Sequence, residues 1–239
     1  MNKVHNQKPL NYLLGALPDS EYSRLLPHLE FVELSLGQVL YYPQEDITQV
    51  YFPSQGIVSL VYILEDGATA EVGLIGKEGM VGIPVILGGK STINQAIVQM
   101  KGSAYKIDAT RLKNEFERGG KLQQMLLLYT QALLTQISQT AVCNAQHNIE
   151  ERLARWLLIV KDLSDSTELY LTQEFISQML GTRRSGITVA AGKLQAAGTI
   201  SYHRGKITIL NQEKLELIAC ECYQIVQDEL RRLLSFEYD

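Results

Sequence analysis

"LTQEFISQMLGTRRSGITVAAGKLQAAGTISYHRGKITI" (171–209) decides the fold. Thr172 stands before a short apolar-periodic run with Glu174 in its first turn, which predicts a helix capped by the Thr hydroxyl. Gly181 follows as a turn residue, and "TRRSGITVAAGKLQAAG" predicts a second helix ending at Gly198. "TISYHRGKITIL" then alternates apolar and polar residues about Arg204-Gly205, which predicts a two-strand hairpin. Helix, turn, helix and hairpin make a winged helix-turn-helix. In that motif the second helix enters the major groove of DNA.

The charge agrees with the motif. From Phe175 to Gln212 there are five Lys or Arg, one His and no Asp or Glu. The chain has 22 basic and 26 acidic residues, a net of −4, so the rest of the molecule carries −9. Carboxylates are missing where they would face a polyanion. Arg183 and Arg184 lie at the positive end of the second helix dipole. Arginine pairs bidentately with guanine or neutralises a phosphate. Arg184, Ser185 and Thr188 are expected at base edges, and Arg183, Lys193, Arg204 and Lys206 at phosphates. Thr172, Thr182 and His203 complete the expected DNA-binding set. Gly186 and Gly192 each cost the helix about 1 kcal/mol relative to alanine. Their missing side chains permit close approach of DNA or of a neighbouring helix.

Outward from this segment the texture changes three times. Residues 10–30 read as short amphipathic helices broken by Pro18 and Pro27. From Val32 to Ile107, β-rich runs ("QVLYY", "QVYFP", "IVSLVYIL", "TAEVGLIG", "INQAIVQM", "GSAYKI") are cut by turn signals that include Gly56 and Gly102, which predicts a small all-β sandwich, barrel or jelly roll. From Arg111 to Cys143 a long helix is predicted. Leu122, Leu126, Tyr129, Leu133, Ile137 and Ala141 form a narrow stripe on it, expected to be a dimer seam. "NIEERLARWLLIVKDL" (148–163) is a further helix with Leu153, Trp156, Leu157 and Val160 buried. Residues 211–236 read as a last helix with Leu215, Ile218, Cys222, Ile225, Leu230 and Leu233 on one face, expected to pack on the winged unit.

Other chemistries are less well served. Cys220-Glu221-Cys222 is expected to lack the partners of a zinc or iron–sulfur site, and Cys143 to be a small apolar filler. His5, His28, His147 and His203 show no ligand spacing, although His5 or His28 could ligate haem, so no metal site is expected. "GLIGKEG" (73–79) lacks the eight-residue phosphate-loop pattern and the hydroxyl residue after Lys77. No nucleophile–base set or paired carboxylates stand out, so an enzyme is not expected. No run of about 18 apolar residues exists to span a membrane. The first twenty residues lack a secretory pattern, so a cytoplasmic protein is expected.

Over nearly its whole length the chain resembles the Crp/Fnr family, the cyclic-AMP receptor protein and its relatives. The resemblance implies an α+β fold with a cyclic-nucleotide-binding-type β-roll over 1–110, a long dimerisation helix and hinge over 111–147, and a winged helix-turn-helix over 148–239. It implies a homodimeric transcription regulator on a near-palindromic double-stranded operator, with RNA polymerase as a possible partner. Gly181 stands at the family's turn position and Arg184 at its base-reading arginine. Ser185 stands where the best-known members have Glu, and Val189 where they have a second base-reading Arg, so a different operator is implied.

"GMVGIPVILGGKSTINQAIVQM" (79–100) resembles the family's phosphate-binding cassette, with Ile83 in place of its ribose-binding Glu and Asn94 in place of its phosphate-binding Arg. Gln95 and Ala96 follow. Losing the Arg–phosphate pair forfeits about 1.5–3 kcal/mol, so cyclic AMP in the usual pose is not expected. Cyclic di-GMP is the leading effector expected from the family's repertoire. Its phosphates and guanines call for cations, carboxylates and a stacking surface, and the available residues are Arg24, Tyr41, Tyr42, Lys77, Glu78, Lys90, Asn94, Gln95, Arg111, Arg118, Arg152 and Arg155. A sensor acting mainly through a protein partner, or a regulator without effector, is the alternative.

Overall fold

The computed structural model describes residues 10–164 and 166–235; His5 and the expected helix end at Phe236 lie outside them. The chain opens with α1 (Tyr12–Gly15) and α2 (Asp19–Leu25), separated at Pro18, and a 3-10 turn (Leu26–His28) containing Pro27. The Asn11 side chain accepts from the Leu14 amide at the start of α1, and its own amide donates to the carbonyls of Pro53 (2.9 Å) and Gly79 (2.8 Å). One fully buried polar side chain thus caps a helix and fastens it to the sheet.

The sheet has five antiparallel strands, β1 (Glu30–Leu34), β2 (Val39–Tyr41), β3 (Gln49–Ile63), β4 (Thr69–Ile75) and β5 (Gln95–Asp108), in the order β1-β5-β3-β4 with β2 also on β5. Two differences from the sequence reading stand out. β1 was not anticipated, because only one of its five residues, Leu34, is buried and no alternation marks it. Gly56 and Gly102 read as turns, yet both lie inside continuous strands where the β3–β5 register shifts. Gly56 has φ +84°, and a Cβ on Gly102 would lie 2.1 Å from the Gln55 carbonyl. They are bulge positions at which two backbones press together, so glycine there bends the long strands rather than ending them.

The single helix expected from Arg111 is two, α3 (Ala109–Glu117) and α4 (Lys121–Gln146), parted at Gly119-Gly120 with φ of 81° and 90°. Glu21 supplies the missing cap of α4, accepting from the Lys121 and Leu122 amides at 2.9 and 2.8 Å. Those two bonds hold its carboxyl below the usual range even against partial desolvation.

The stripe on α4 is also corrected. Leu122, Leu126, Tyr129 and Leu133 are buried in the chain's own core against the sheet, so they are not a seam. Ile137 is half-buried and Ala141 is exposed. The apolar row left open on α4 is Leu127, Leu134 and Ala141, seven residues apart, with Leu127 48% and Leu134 59% exposed.

His147, in extended conformation, and Asn148 join α4 to α5 (Ile149–Ser164). Asn148 and Glu151 form a reciprocal cap at the start of α5: Asn148 Oδ1 accepts from the Glu150 and Glu151 amides, and Glu151 Oε2 accepts from the Asn148 amide. Beyond α5 come β6 (Glu168–Tyr170), α6 (Gln173–Met179), α7 (Arg184–Ala196), β7 (Ile200–His203) and β8 (Lys206–Ile209), with the three strands in the order β6-β8-β7.

The expected last helix is broken at 219–221 into α8 (Gln212–Ile218) and α9 (Cys222–Leu234). α9 departs from the winged unit and lies along α4, with Val226, Leu230 and Leu234 in the same core as the sheet. The Tyr12 hydroxyl donates to the Leu234 carbonyl. Ile225, placed on the buried face by its spacing, is 41% exposed, because α9's buried row is Cys222, Val226, Leu230 and Leu234.

Candidate nucleic-acid interface and sensor cavity

α6 begins at Thr172, whose hydroxyl accepts from the Phe175 amide at 3.1 Å. Gly181 supplies the turn with φ +56°, a left-handed conformation that favours glycine. α7 buries Ile187, Ala190, Ala191 and Leu194 and turns Arg184, Ser185, Thr188, Val189, Gly192 and Lys193 to solvent. The two glycines of α7 do different work. A Cβ on Gly186 would meet Ile149 Cδ1 at 2.8 Å, so that residue lets α7 pack on the start of α5. Gly192 has open space beside it at the middle of the exposed face.

Arg183 and Arg184 are exposed and have no carboxylate partner among the described residues. Thr188 is already engaged, its hydroxyl donating to Gln173 Oε1 at 2.8 Å. Lys193 pairs with Glu150 at 3.1 Å and Lys206 with Glu168 at 2.8 Å. Both pairs are exposed and worth little, so a phosphate can replace the carboxylate. The hairpin tip turns at Arg204 (φ 49°) and Gly205 (φ 81°), leaving His203 and Arg204 exposed beside α7. Gln195 on α7 fixes the wing by accepting from the Tyr202 amide at 2.8 Å. Thr182 is half-buried in the turn, its amide donating to Ser177. Thr172 is exposed, caps α6 and borders a cleft of about 440 Å³ between α6 and the β-sheet.

In the β-roll, a cavity of about 140 Å³ lies between Tyr41, the 3-10 turn Ile83–Val85 and α4. Ile83 and Asn94 both line it, as do Thr130, Leu133 and Leu134, and among the described residues no charged side chain does. The Tyr41 hydroxyl donates to Asn94 Oδ1 at 3.1 Å, and burial raises the Tyr41 pKa above the ordinary tyrosine value.

The winged unit docks on the sheet through Trp156, whose indole N–H donates to Glu71 Oε1 at 2.8 Å. Burial pushes the Glu71 carboxyl up to about 7, against the pull of that bond and of Arg155.

Two family models match the chain: the cyclic nucleotide-binding domain over residues 31–118 and the Crp-like helix-turn-helix domain over residues 151–218. The chain belongs to the Crp/Fnr family. It is 20% identical to the global nitrogen regulator of Synechococcus elongatus over 192 residues, covering 77% of this chain and 86% of that protein. Its fold is shared with FixK2 of Bradyrhizobium japonicum (TM-score 0.69, 17% identity, 80% of this chain and 98% of that one). The fold is shared equally with the c-di-GMP-responsive global regulator CLP of Xanthomonas campestris (TM-score 0.67, 15% identity, 80% and 99%).

This Crp/Fnr protein is thus a DNA-binding transcription regulator with a cyclic nucleotide-binding domain. Of the residues offered above for a cyclic dinucleotide, Tyr41 and Asn94 meet at the cavity, and the charged ones do not join them. Arg24 and Arg118 both reach Glu115. Glu78 is buried and accepts from the Gly76 amide, and burial raises its pKa to about 7. Lys90 borders a separate cleft near Asp46, and Gln95 borders the one near Thr172. Tyr42 and Arg111 are exposed, and Lys77 belongs to the chain segment that meets α1. Arg152 and Arg155 are buried at the hinge, with Arg152 donating to the Leu180 carbonyl.

The absence of cysteine partners expected from the sequence is overturned. Cys143, His147, Cys220 and Cys222 come together, their ligand atoms all within 4.8 Å of one another. The signal available in the sequence was the Cys143–His147 spacing of four, one helical turn.

Proposed function

We propose that this regulator acts as a homodimer that reads a near-palindromic operator with α7, under control of a small effector held by the β-roll. The observation that carries this reading is the exposed, carboxylate-free face of α7 with Arg183 and Arg184 unpaired at its N-terminus, flanked by the Arg204 wing tip. Two such helices one DNA turn apart, about 34 Å, require two copies of the chain. The open Leu127–Leu134–Ala141 row on α4 supplies the matching seam. Leu127→Glu combined with Ala141→Glu puts charges into that seam at two exposed positions outside the effector cavity. The double variant is expected to sediment as a monomer and to lose operator binding in an anisotropy titration with genomic fragments. A dimeric double variant overturns the seam.

The effector is proposed to occupy the cavity of Ile83 and Asn94. Without a cation to meet a phosphate, and at about 140 Å³, that cavity favours a small and largely apolar ligand over a cyclic nucleotide. Cyclic di-GMP would require Arg and Lys side chains gathered in one place, and RNA polymerase or another protein would act through a surface outside this cavity. A thermal-shift series with cyclic AMP, cyclic di-GMP and 2-oxoglutarate tests the chemistry, since a ligand of the native state raises the melting temperature. We expect no shift with either cyclic nucleotide. A saturable shift with cyclic di-GMP sinks the apolar-ligand reading.

A further inference from the structure

The Cys143, His147, Cys220 and Cys222 cluster has no part in DNA reading and lies apart from the effector cavity. Cys143 and His147 sit one turn apart at the end of α4, and His147 is the first of the two residues that join α4 to α5. Cys220 and Cys222 come from the break between α8 and α9, so four ligands from two distant segments close on one point. All three thiols are buried.

The distances have the scale of one metal ion. Zinc binds sulfur at about 2.3 Å and imidazole nitrogen at about 2.0–2.1 Å, so tetrahedral edges are about 3.6–3.8 Å. Cys143 Sγ lies 3.4 Å from Cys220 Sγ, and Cys222 Sγ lies 3.5 Å from His147 Nδ1. An iron–sulfur cluster spreads its ligands over a wider frame.

The surroundings complete the pattern. His147 presents Nδ1 to the sulfurs while its Nε2 lies 3.3 Å from Glu221 Oε2, the outer carboxylate that orients a metal-binding imidazole. Gln139 Nε2 donates to Cys222 Sγ at 3.1 Å. Buried Arg152 and Arg155, each with an Nε–H that has no hydrogen-bond partner among the described residues, bring positive charge towards the thiols.

We propose that Cys143, His147, Cys220 and Cys222 form a closed Cys3His site for one tetrahedral zinc ion, which clamps the hinge to the α8–α9 corner. Binding displaces the three thiol protons and leaves three thiolates and a neutral imidazole around the ion, a net charge of −1 that the two guanidiniums offset. The site is structural in type, since four protein ligands leave no position for a substrate.

The full chain, purified under reducing conditions without added metal or chelator, should carry about one zinc per chain by elemental analysis. Cobalt(II) in its place should give intense tetrahedral d–d bands and a thiolate charge-transfer band in the near ultraviolet. Cys220→Ser should lose most of that charge-transfer intensity. Glu221→Gln gives a second arm that keeps all three thiols: its side chain is 70% exposed, so the fold should survive. Its zinc affinity against a chromophoric chelator should fall about 10- to 100-fold. The proposal is overturned by a reduced, folded chain that takes up neither zinc nor cobalt stoichiometrically. It is equally overturned by a metal-free chain whose mass is two hydrogens short with Cys143 joined to Cys220, or by a Glu221→Gln affinity equal to that of the parent.

Discussion

Alanine at position 184 is expected to weaken specific operator binding by roughly 30-fold to 10⁴-fold. A bidentate arginine–guanine pair discriminates by about 1–3 kcal/mol, and a dimer loses two of them. Arg184 is the first residue of α7, exposed and without a carboxylate partner, so its loss leaves no buried charge behind. Alanine is also the better helix former, and the fold should be unaffected. Lys206→Ala makes the contrast. Its ammonium is held by Glu168 at 2.8 Å, so its phosphate contact replaces an existing pair. It should weaken specific and non-specific DNA about equally and lower the salt slope by about one per contact. Fluorescence anisotropy on the operator and on a scrambled duplex, at two salt concentrations, separates the two effects. If Arg184→Ala keeps the parent's preference for the operator, the base-reading assignment passes to another residue of α7.

How much of this was legible before folding depended on range. The stretch 171–209 was read through local signals: a Thr cap, turn glycines at 181 and 205, and a change of apolar period. Each is set within a few residues, and each element stands where those signals put it. Gly56 and Gly102 misled because a bulge and a turn draw on the same freedom of glycine, and only the opposite strand distinguishes them. Gly119-Gly120 went unheeded inside a Leu-rich run, although the pair ends α3. The stripe from Leu122 to Leu133 is a true helical face; sequence period says that a face is buried but not against what. The sheet took it, leaving the Leu127 row open. The cysteine cluster was the least visible. Cys143 and Cys220 are 77 residues apart, and they meet only because α9 folds back along α4.

That fold-back also joins the winged unit to the sensor, and a single carboxyl makes the contact pH-sensitive. Glu71 on β4 is 7% exposed; across the boundary it accepts from the Trp156 indole on α5 and feels the charge of Arg155 on the same helix. Its Oε2 has no hydrogen-bond partner among the described residues. Burial raises its pKa from 4.5 to about 7. Below pH 4.5 the carboxyl is protonated in both folded and unfolded chains, and the contribution to stability is complete. Between 4.5 and 7 the unfolded chain releases the proton and the folded chain keeps it. Stability then falls with rising pH by about 1.4 kcal/mol per unit, about 3 kcal/mol in all. Glu78, also raised to about 7, adds a fall of the same sign, so the parent's own curve mixes the two. Glu71→Gln separates them, because the amide still accepts from Trp156 and never ionises. The variant should match the parent near pH 4.5 and exceed it by about 3 kcal/mol at pH 8, or roughly 6–12 °C in melting temperature for a chain of this size. Trp156 is the chain's one tryptophan, so its fluorescence reports the same boundary directly. It should titrate near pH 7 in the parent and stay flat in the variant. A variant no more stable than the parent at pH 8 shows that Glu71 ionises freely, and that the sensor and winged units separate without cost at that point.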